Sequence, residues 1–187
     1  NEVRSWKNSL GYMDRVLNDD AIPDDAGIAI EYNIPQTSKR IDFIITGKTT
    51  SEHNAAVIIE LKQWEQIELT TKDAIVSTYV GGGIREVLHP SYQAWTYAAL
   101  LKDFNEEARA DDVSLHPCAY LHNCEVEDVV RHTFYQDYLN NAPVFLKPDA
   151  LKLREFIAEH VKYGDSGQLM YRLRDGKISP SKNLADK

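Results

Sequence analysis

The segments RIDFII (residues 40–45) and IIELK (residues 58–62) place charged side chains inside short runs of apolar and β-branched residues. Such runs favour β-strands. Because side chains alternate along a strand, Glu60 and Lys62 lie on one face of theirs. An ionisable group is costly to bury without a partner. We therefore expect Asp42, Glu60 and Lys62 either to share a functional site or to form a structural cluster of ion pairs.

The sequence around these two segments predicts an α/β domain. An apolar stripe with helical spacing predicts a first helix over residues 3–17. Residues 55–64 are apolar on both faces, which is typical of a central strand that is covered on both sides. The remaining predicted elements are strands over 28–34, 40–46, 75–80, 84–88 and 113–122, and helices over 91–108, 125–138 and 148–163. This order predicts a central mixed sheet flanked by helices.

A shared cation would explain why two carboxylates lie in adjacent apolar strands. Mg²⁺ takes oxygen ligands, commonly one or two carboxylates together with waters and phosphate oxygens. Asp42 and Glu60 are the candidate ligands, with Lys62 beside them. The helix predicted after the sheet adds Gln93 and Tyr97, which are four residues apart and therefore project from one helical face. Ordinary packing on that helix is the alternative for this pair.

Together these residues resemble the PD-(D/E)xK nuclease superfamily, in particular its RecB-like branch. That branch has an Asp on the second core strand, Glu-x-Lys on the third, and a Gln-x-x-x-Tyr helix. Asp42 matches the first position, Glu60 and Lys62 the next two, and Gln93 and Tyr97 the helix. The resemblance covers roughly residues 28–125. The Pro of the family motif is absent, because an isoleucine precedes the Asp.

The resemblance implies a restriction-endonuclease-like core with the order αβββαβ and a metal-dependent nuclease that hydrolyses DNA. Asp42 and Glu60 would hold Mg²⁺ or Mn²⁺, with the backbone carbonyl of Leu61 as a further ligand. Lys62 would position the attacking water or stabilise charge on the phosphate. The resemblance also implies products with a 5′-phosphate and a 3′-hydroxyl, and a supporting role for the Gln and Tyr of the helix.

Family members often carry one more acidic residue upstream of the Asp. Glu31 is the candidate for this additional metal ligand, since it lies in the strand that would pair with the strand of Asp42. A solvated glutamate on an edge strand is the alternative. Glu2, in the first helix, is a weaker candidate.

Composition bounds the partners and the setting of the protein. The chain has 187 residues and a net charge of −8, which argues against a broad basic surface for nucleic acid but allows local contact with phosphates. Two cysteines argue against a disulfide scaffold, and no signal peptide is recognised, so we expect a cytoplasmic protein. We expect a single domain over residues 1–174 and a polar tail or linker over 175–187.

A second resemblance concerns a fusion partner. The HPSYQ stretch (residues 89–93) and the tail GKISPSK (residues 176–182) look like nuclease-like domains fused ahead of helicase or ATPase domains. The expected partners are therefore DNA and a fused or associated helicase or ATPase. The rival to the enzyme is a catalytically inactive nucleic-acid-binding or protein-interaction module of a helicase-containing protein.

Two other signals carry less weight. Four residues, His116, Cys118, His122 and Cys124, have metal-binding side chains, but a single strand would hold the two cysteines roughly 20 Å apart, too far for one zinc ion. An interruption of the strand near residue 123 would be needed to bring the two cysteines together. His89 precedes a proline at the start of a predicted helix, where it either caps the helix or contacts DNA.

Overall fold

The structure is a computed structural model that describes residues 2–179, with side chains from residue 9 onwards. Its helices are α1 (Glu2–Leu17), α2 (Pro90–Phe104), α3 (Glu106–Ala110), α4 (Gln136–Asn141), α5 (Ala150–His160) and α6 (Gln168–Asp175). Its strands are β1 (Gly27–Asn33), β2 (Arg40–Lys48), β3 (Asn54–Lys62), β4 (Ile67–Leu69), β5 (Ile75–Val80), β6 (Gly83–Leu88), β7 (Ser114–Leu121) and β8 (Val144–Leu146). Short 3₁₀ turns cover Thr133–Tyr135 and Lys147–Asp149.

The main sheet of the described chain has five strands in the order β1-β2-β3-β7-β8. The pairs β1–β2 and β2–β3 are antiparallel, whereas β3–β7 and β7–β8 are parallel. This confirms the predicted α/β fold with a mixed central sheet flanked by helices. Between β3 and α2 the chain forms a separate antiparallel sheet in the order β4-β5-β6.

Helices cover both faces of the main sheet. On one face α1 and α5 pack against side chains that include Val57 and Ile59 of β3. On the other face α2 and α6 pack against side chains that include Ile58 of the same strand. The prediction that this strand is central and buried on both sides is therefore confirmed. None of the helices in the described part of the chain has the length and apolar character needed to span a membrane.

The helix predicted over residues 125–138 is wrong. The chain makes turns up to His132, then the short 3₁₀ turn, and only then α4. Tertiary contacts outweigh helix propensity here: the carbonyl of Val130 accepts a hydrogen bond from His89 Nε2 at 2.8 Å, and Arg131 donates to the carbonyl of Val144 at 2.7 Å. The strands β4 and β8 were not predicted, because a strand of three residues carries little periodicity. The helix α6 was not predicted either.

The predicted helix over residues 91–108 is interrupted at Asn105. Its side-chain oxygen accepts from the backbone N–H of Ala108 at 3.1 Å, which caps α3. Ile178 forms an isolated antiparallel bridge with Asn105, and the N–H of Ser179 donates to the carbonyl of Phe104 at 3.1 Å. Residues 178 and 179 of the predicted tail thus contact the domain, and residues 180–187 lie outside the described residues.

Candidate functional site

The site forms where β2 and β3 separate. Their ladder ends at the pair Phe43 and Ile59, while β2 continues along β1 and β3 continues along β7. The next residues on the two strands are Asp42 and Glu60, which therefore face each other across the opening. Asp42 Oδ2 accepts a hydrogen bond from the backbone N–H of Leu61 at 2.9 Å, and so satisfies a donor that the ladder no longer pairs.

A cavity of about 450 Å³ opens at this point. The structure brings six of the predicted site residues to its wall: Asp42, Glu60, Leu61, Lys62, Gln93 and Tyr97. The first four residues come from the two separating strands. Gln93 and Tyr97 come from α2, which packs on the face of the sheet that also bears Ile58.

Glu60 is the most unusual side chain of the cavity. It is 1% exposed, and its Oε1 has no hydrogen-bond partner within the described residues. Its Oε2 lies 4.0 Å from Lys62 Nζ. Burial and then the negative charge of Asp42 raise the pKa of Glu60 well above its ordinary value, although Lys62 acts in the opposite direction. Without a cation this carboxyl group therefore stays protonated, and so neutral, at pH values where a solvated glutamate is charged.

Gln93 and Tyr97 contact each other on the α2 side of the cavity. Gln93 Nε2 donates to the Tyr97 hydroxyl at 3.0 Å. Burial raises the pKa of Tyr97, and the negative charges of Glu60 and Asp42 add to that increase, while the hydrogen bond from Gln93 opposes it. The hydroxyl is therefore a proton donor that lies within the electrostatic influence of both carboxylates.

His89 caps α2 and does not line the cavity. Its Nδ1 accepts from the N–H of Ser91 at 3.1 Å, and its Nε2 then carries the proton that is donated to Val130. Burial lowers the pKa of His89 to about 4, against the effect of the hydrogen bond to Val130. His89 thus fixes the first turn of the helix that presents Gln93, as a neutral imidazole at neutral pH.

Glu31 does not line the cavity. It has a positive φ of 53° and forms an ion pair with Arg40, with Oε1 and Nη1 3.1 Å apart. Among the side chains that the structure describes, no three His, Cys, Asp or Glu residues form a group that could hold a metal ion. Glu31 therefore does not join the Asp42–Glu60 pair as a third acidic ligand. The side chain of Glu2 lies outside the described residues.

Four residues of the cavity were not predicted: Ser9, Asn33, Ser38 and Arg40. Arg40 could have been found, because it begins the strand of Asp42 two residues earlier and shares its face. Ser9 carried no such signal. Its position depends on a contact across the fold, in which its hydroxyl lies 2.7 Å from His122 Nε2.

The four residues considered as zinc ligands do not form a metal-binding group among the side chains that the structure describes. His116 stacks on His160 with ring centroids 3.6 Å apart, and His122 stacks on Tyr12 at 4.3 Å. Both cysteines are buried and unbonded to each other. Burial lowers the pKa of His116 and of His122 to about 4, so both rings are neutral at neutral pH.

The donors at the separated strands fit a small divalent cation. Two carboxylates lie opposite each other, Leu61 directly follows Glu60 and lines the same cavity, and one oxygen of Glu60 is buried without a partner among the described residues. Mg²⁺ and Mn²⁺ prefer such oxygen ligands and keep water in their remaining positions. Comparisons with protein-family models, with curated proteins and with solved structures find no match for this chain. Function is therefore inferred from the site itself.

Proposed function

We propose that the protein is a metal-dependent phosphodiesterase that hydrolyses DNA. The observation that carries this proposal is the pairing of Asp42 with the buried Glu60 at the wall of an open cavity, where Glu60 Oε1 has no hydrogen-bond partner among the described residues and Oε2 lies 4.0 Å from Lys62 Nζ. A buried carboxyl group with an unsatisfied oxygen destabilises a fold. A cation shared with Asp42 would relieve the repulsion between the two carboxylates and would supply the missing contact of Glu60.

The arrangement of elements supports a restriction-endonuclease-like core. The order α1-β1-β2-β3-α2-β7 is the αβββαβ order that the resemblance implies, with the small sheet β4-β5-β6 inserted before α2 and α3 following it. The acidic residues stand on the second and third strands of this core and the Gln-x-x-x-Tyr pair on its second helix, as in the RecB-like branch.

Asp42, Glu60 and the carbonyl of Leu61 would hold the cation. A bound divalent cation supplies a water of lowered pKa and polarises the phosphoryl oxygen. Lys62 is 18% exposed in its side chain, so its ammonium group lies in a partly dry environment where it orients the attacking water and stabilises negative charge on the phosphate. Hydrolysis breaks the bond to the 3′-oxygen and leaves a 5′-phosphate.

The opposite walls of the cavity position the substrate. Arg40 reaches the cavity from β2 and can bind a phosphate through its planar guanidinium group, which its ion pair with Glu31 orients. The Gln93 amide and the Tyr97 hydroxyl offer hydrogen bonds to the phosphate or to water. Phosphate contact is thus local, in keeping with the net charge of −8.

Labelled single-stranded and double-stranded DNA and RNA, incubated with Mg²⁺, Mn²⁺ or EDTA, test this proposal. We expect DNA cleavage that needs the cation and stops in EDTA. An inactive binding module would bind nucleic acid without cleaving it under any condition. If a helicase or ATPase domain is fused to this domain, repeating the panel with the fused protein tests whether that partner delivers DNA strands to this site.

A further inference from the structure

The inserted sheet creates a second cavity next to the proposed site. This cavity has a volume of about 550 Å³, within the range of small-molecule sites. Residues that line the two cavities are adjacent in the sequence, since Gln63 of the second cavity directly follows Lys62 of the first. The two are also close in space, because Lys62 Nζ lies 5.2 Å from the ring centroid of Trp64, which lines the second cavity.

Aromatic and aliphatic side chains form one part of the wall. Tyr79 and Ile84 are cross-strand partners on β5 and β6 and are 68% and 70% exposed. Together with Trp64 they offer flat apolar surface to a ligand. Large apolar side chains this exposed favour a binding surface over a role in the core, and aromatic rings are the usual surfaces on which nucleobases stack.

Polar groups of the wall match the edge of a base and reject a phosphate. Gln63 contributes an amide side chain to the wall. Asn123 Nδ2 lies 3.3 Å from Glu65 Oε1, and Glu68 adds a second carboxylate. Carboxylate and amide oxygens accept hydrogen bonds from exocyclic amino groups of bases, whereas two carboxylates repel a phosphate.

We propose that this second cavity binds an unpaired nucleobase of the strand whose phosphate lies at Asp42, Glu60 and Lys62. The inference rests on the proposed function for the identity of that neighbouring strand. A base inside a duplex cannot present its face and its pairing edge to such a cavity. The substrate class is therefore single-stranded nucleic acid, or a duplex end at which a nucleotide is unpaired.

Binding measured in EDTA tests the cavity without cleavage. The full chain is titrated into labelled oligonucleotides, single-stranded or as a closed hairpin duplex, in DNA and RNA forms, and fluorescence anisotropy is recorded. Tyr79→Ala should weaken single-strand binding by about 5- to 160-fold, the usual effect of losing one stacked base. Tyr79→Phe should retain it. Tyr171→Ala, at a tyrosine that is 57% exposed on α6, is the matched control and should have no effect.

An abasic nucleotide placed along the oligonucleotide sharpens the result. At one position it should weaken wild-type binding as much as Tyr79→Ala does, and the two changes together should cost no more than either alone. Equal affinity of wild type and Tyr79→Ala for single strands, or no preference of the wild type for single strands over duplex, overturns the proposal. If the protein cleaves DNA but Tyr79→Ala binds single strands like the wild type, only the proposed base cavity is refuted. If binding depends on Tyr79 but no cleavage occurs with any cation, only the proposed nuclease activity is refuted.

Discussion

Two buried carboxylates in this protein, Glu60 and Asp149, have opposite surroundings. Asp149 is 6% exposed, and its Oδ2 accepts from the N–H of Leu146 at 2.9 Å and from Arg131 at 2.7 Å. Burial acts to raise its pKa, but the bonds from Leu146 and Arg131 prevail and the pKa of Asp149 is lowered. Glu60 has a partnerless oxygen, a second carboxylate opposite it and a raised pKa. A carboxylate with all its partners stabilises a fold, whereas one without them is available to a ligand.

The largest effect should be on cleavage. Asp42→Ala and Glu60→Ala should each lower the initial rate on labelled DNA by about a thousandfold or more, because the cation contributes several kcal/mol to the transition state. Asp149→Asn, changed at the other carboxylate, should cleave at close to the wild-type rate per folded molecule. Circular dichroism should show that all three variants fold. Wild-type cleavage by either alanine variant would refute the assigned site.

The order of the effects should be reversed for stability, where the substitution at Asp149 should matter more than the substitution at Glu60. Asp149→Asn should lower the free energy of unfolding by about 2 kcal/mol, since charged hydrogen bonds are lost. Glu60→Gln should leave it level or raise it, because a neutral amide cannot carry the charge that burial and the nearby Asp42 disfavour at this position. Urea unfolding in EDTA measures both. The comparison fails if Glu60→Gln is destabilised as much as Asp149→Asn.

A smaller effect on turnover is expected on the α2 side. Gln93→Ala should lower turnover by about tenfold, as for other residues that support a metal site, with little change in unfolding. Tyr97→Phe should be milder than Tyr97→Ala, since the ring keeps its packing and only the hydroxyl is lost. Steady-state rates with melting temperatures measure this. A silent Gln93→Ala would mean that the helix has only a packing role.

The smallest effect is a difference in pH dependence, measured in EDTA. The folded-state pKa of Glu60 is raised, so its contribution to stability is present below about pH 4.5 and is lost as the pH rises. The folded-state pKa of Asp149 is lowered, so its contribution is present above about pH 4 and is lost as the pH falls. The free energy of unfolding of the wild type minus that of Glu60→Gln should therefore fall as the pH rises. The free energy of unfolding of the wild type minus that of Asp149→Asn should rise with pH. Slopes of the same sign would contradict the assigned surroundings.

The central strands and their charged residues could be predicted from sequence because each signal is local. Residues 55–64 are apolar on both faces, and a Glu and a Lys two apart share a face by strand geometry alone. The fate of Glu31 could not be predicted, since it depends on a left-handed backbone conformation and on the ion pair with Arg40. The inserted sheet was predicted only as the two strands over residues 75–80 and 84–88, and its cavity depends on the path of the chain after Lys62.

The turns around residue 130 also could not be predicted from the local sequence. Their sequence favours a helix, but the Val130 carbonyl is bound by His89, 41 residues away. Arg131 is bound to Asp149, 18 residues away. Such contacts are set by the assembled sheet and have no periodicity along the chain.

Titration of the protein with Mn²⁺ in a calorimeter tests the central claim most directly. The wild type should bind one ion, and Glu60→Gln should lose that binding, because an amide is a poor substitute for a carboxylate ligand. Lys62→Ala should bind like the wild type, since an ammonium group is not a ligand, and so should Asp149→Asn. No saturable binding by the wild type, or equal binding by wild type and Glu60→Gln, would contradict the assignment of Asp42 and Glu60 as the cation site.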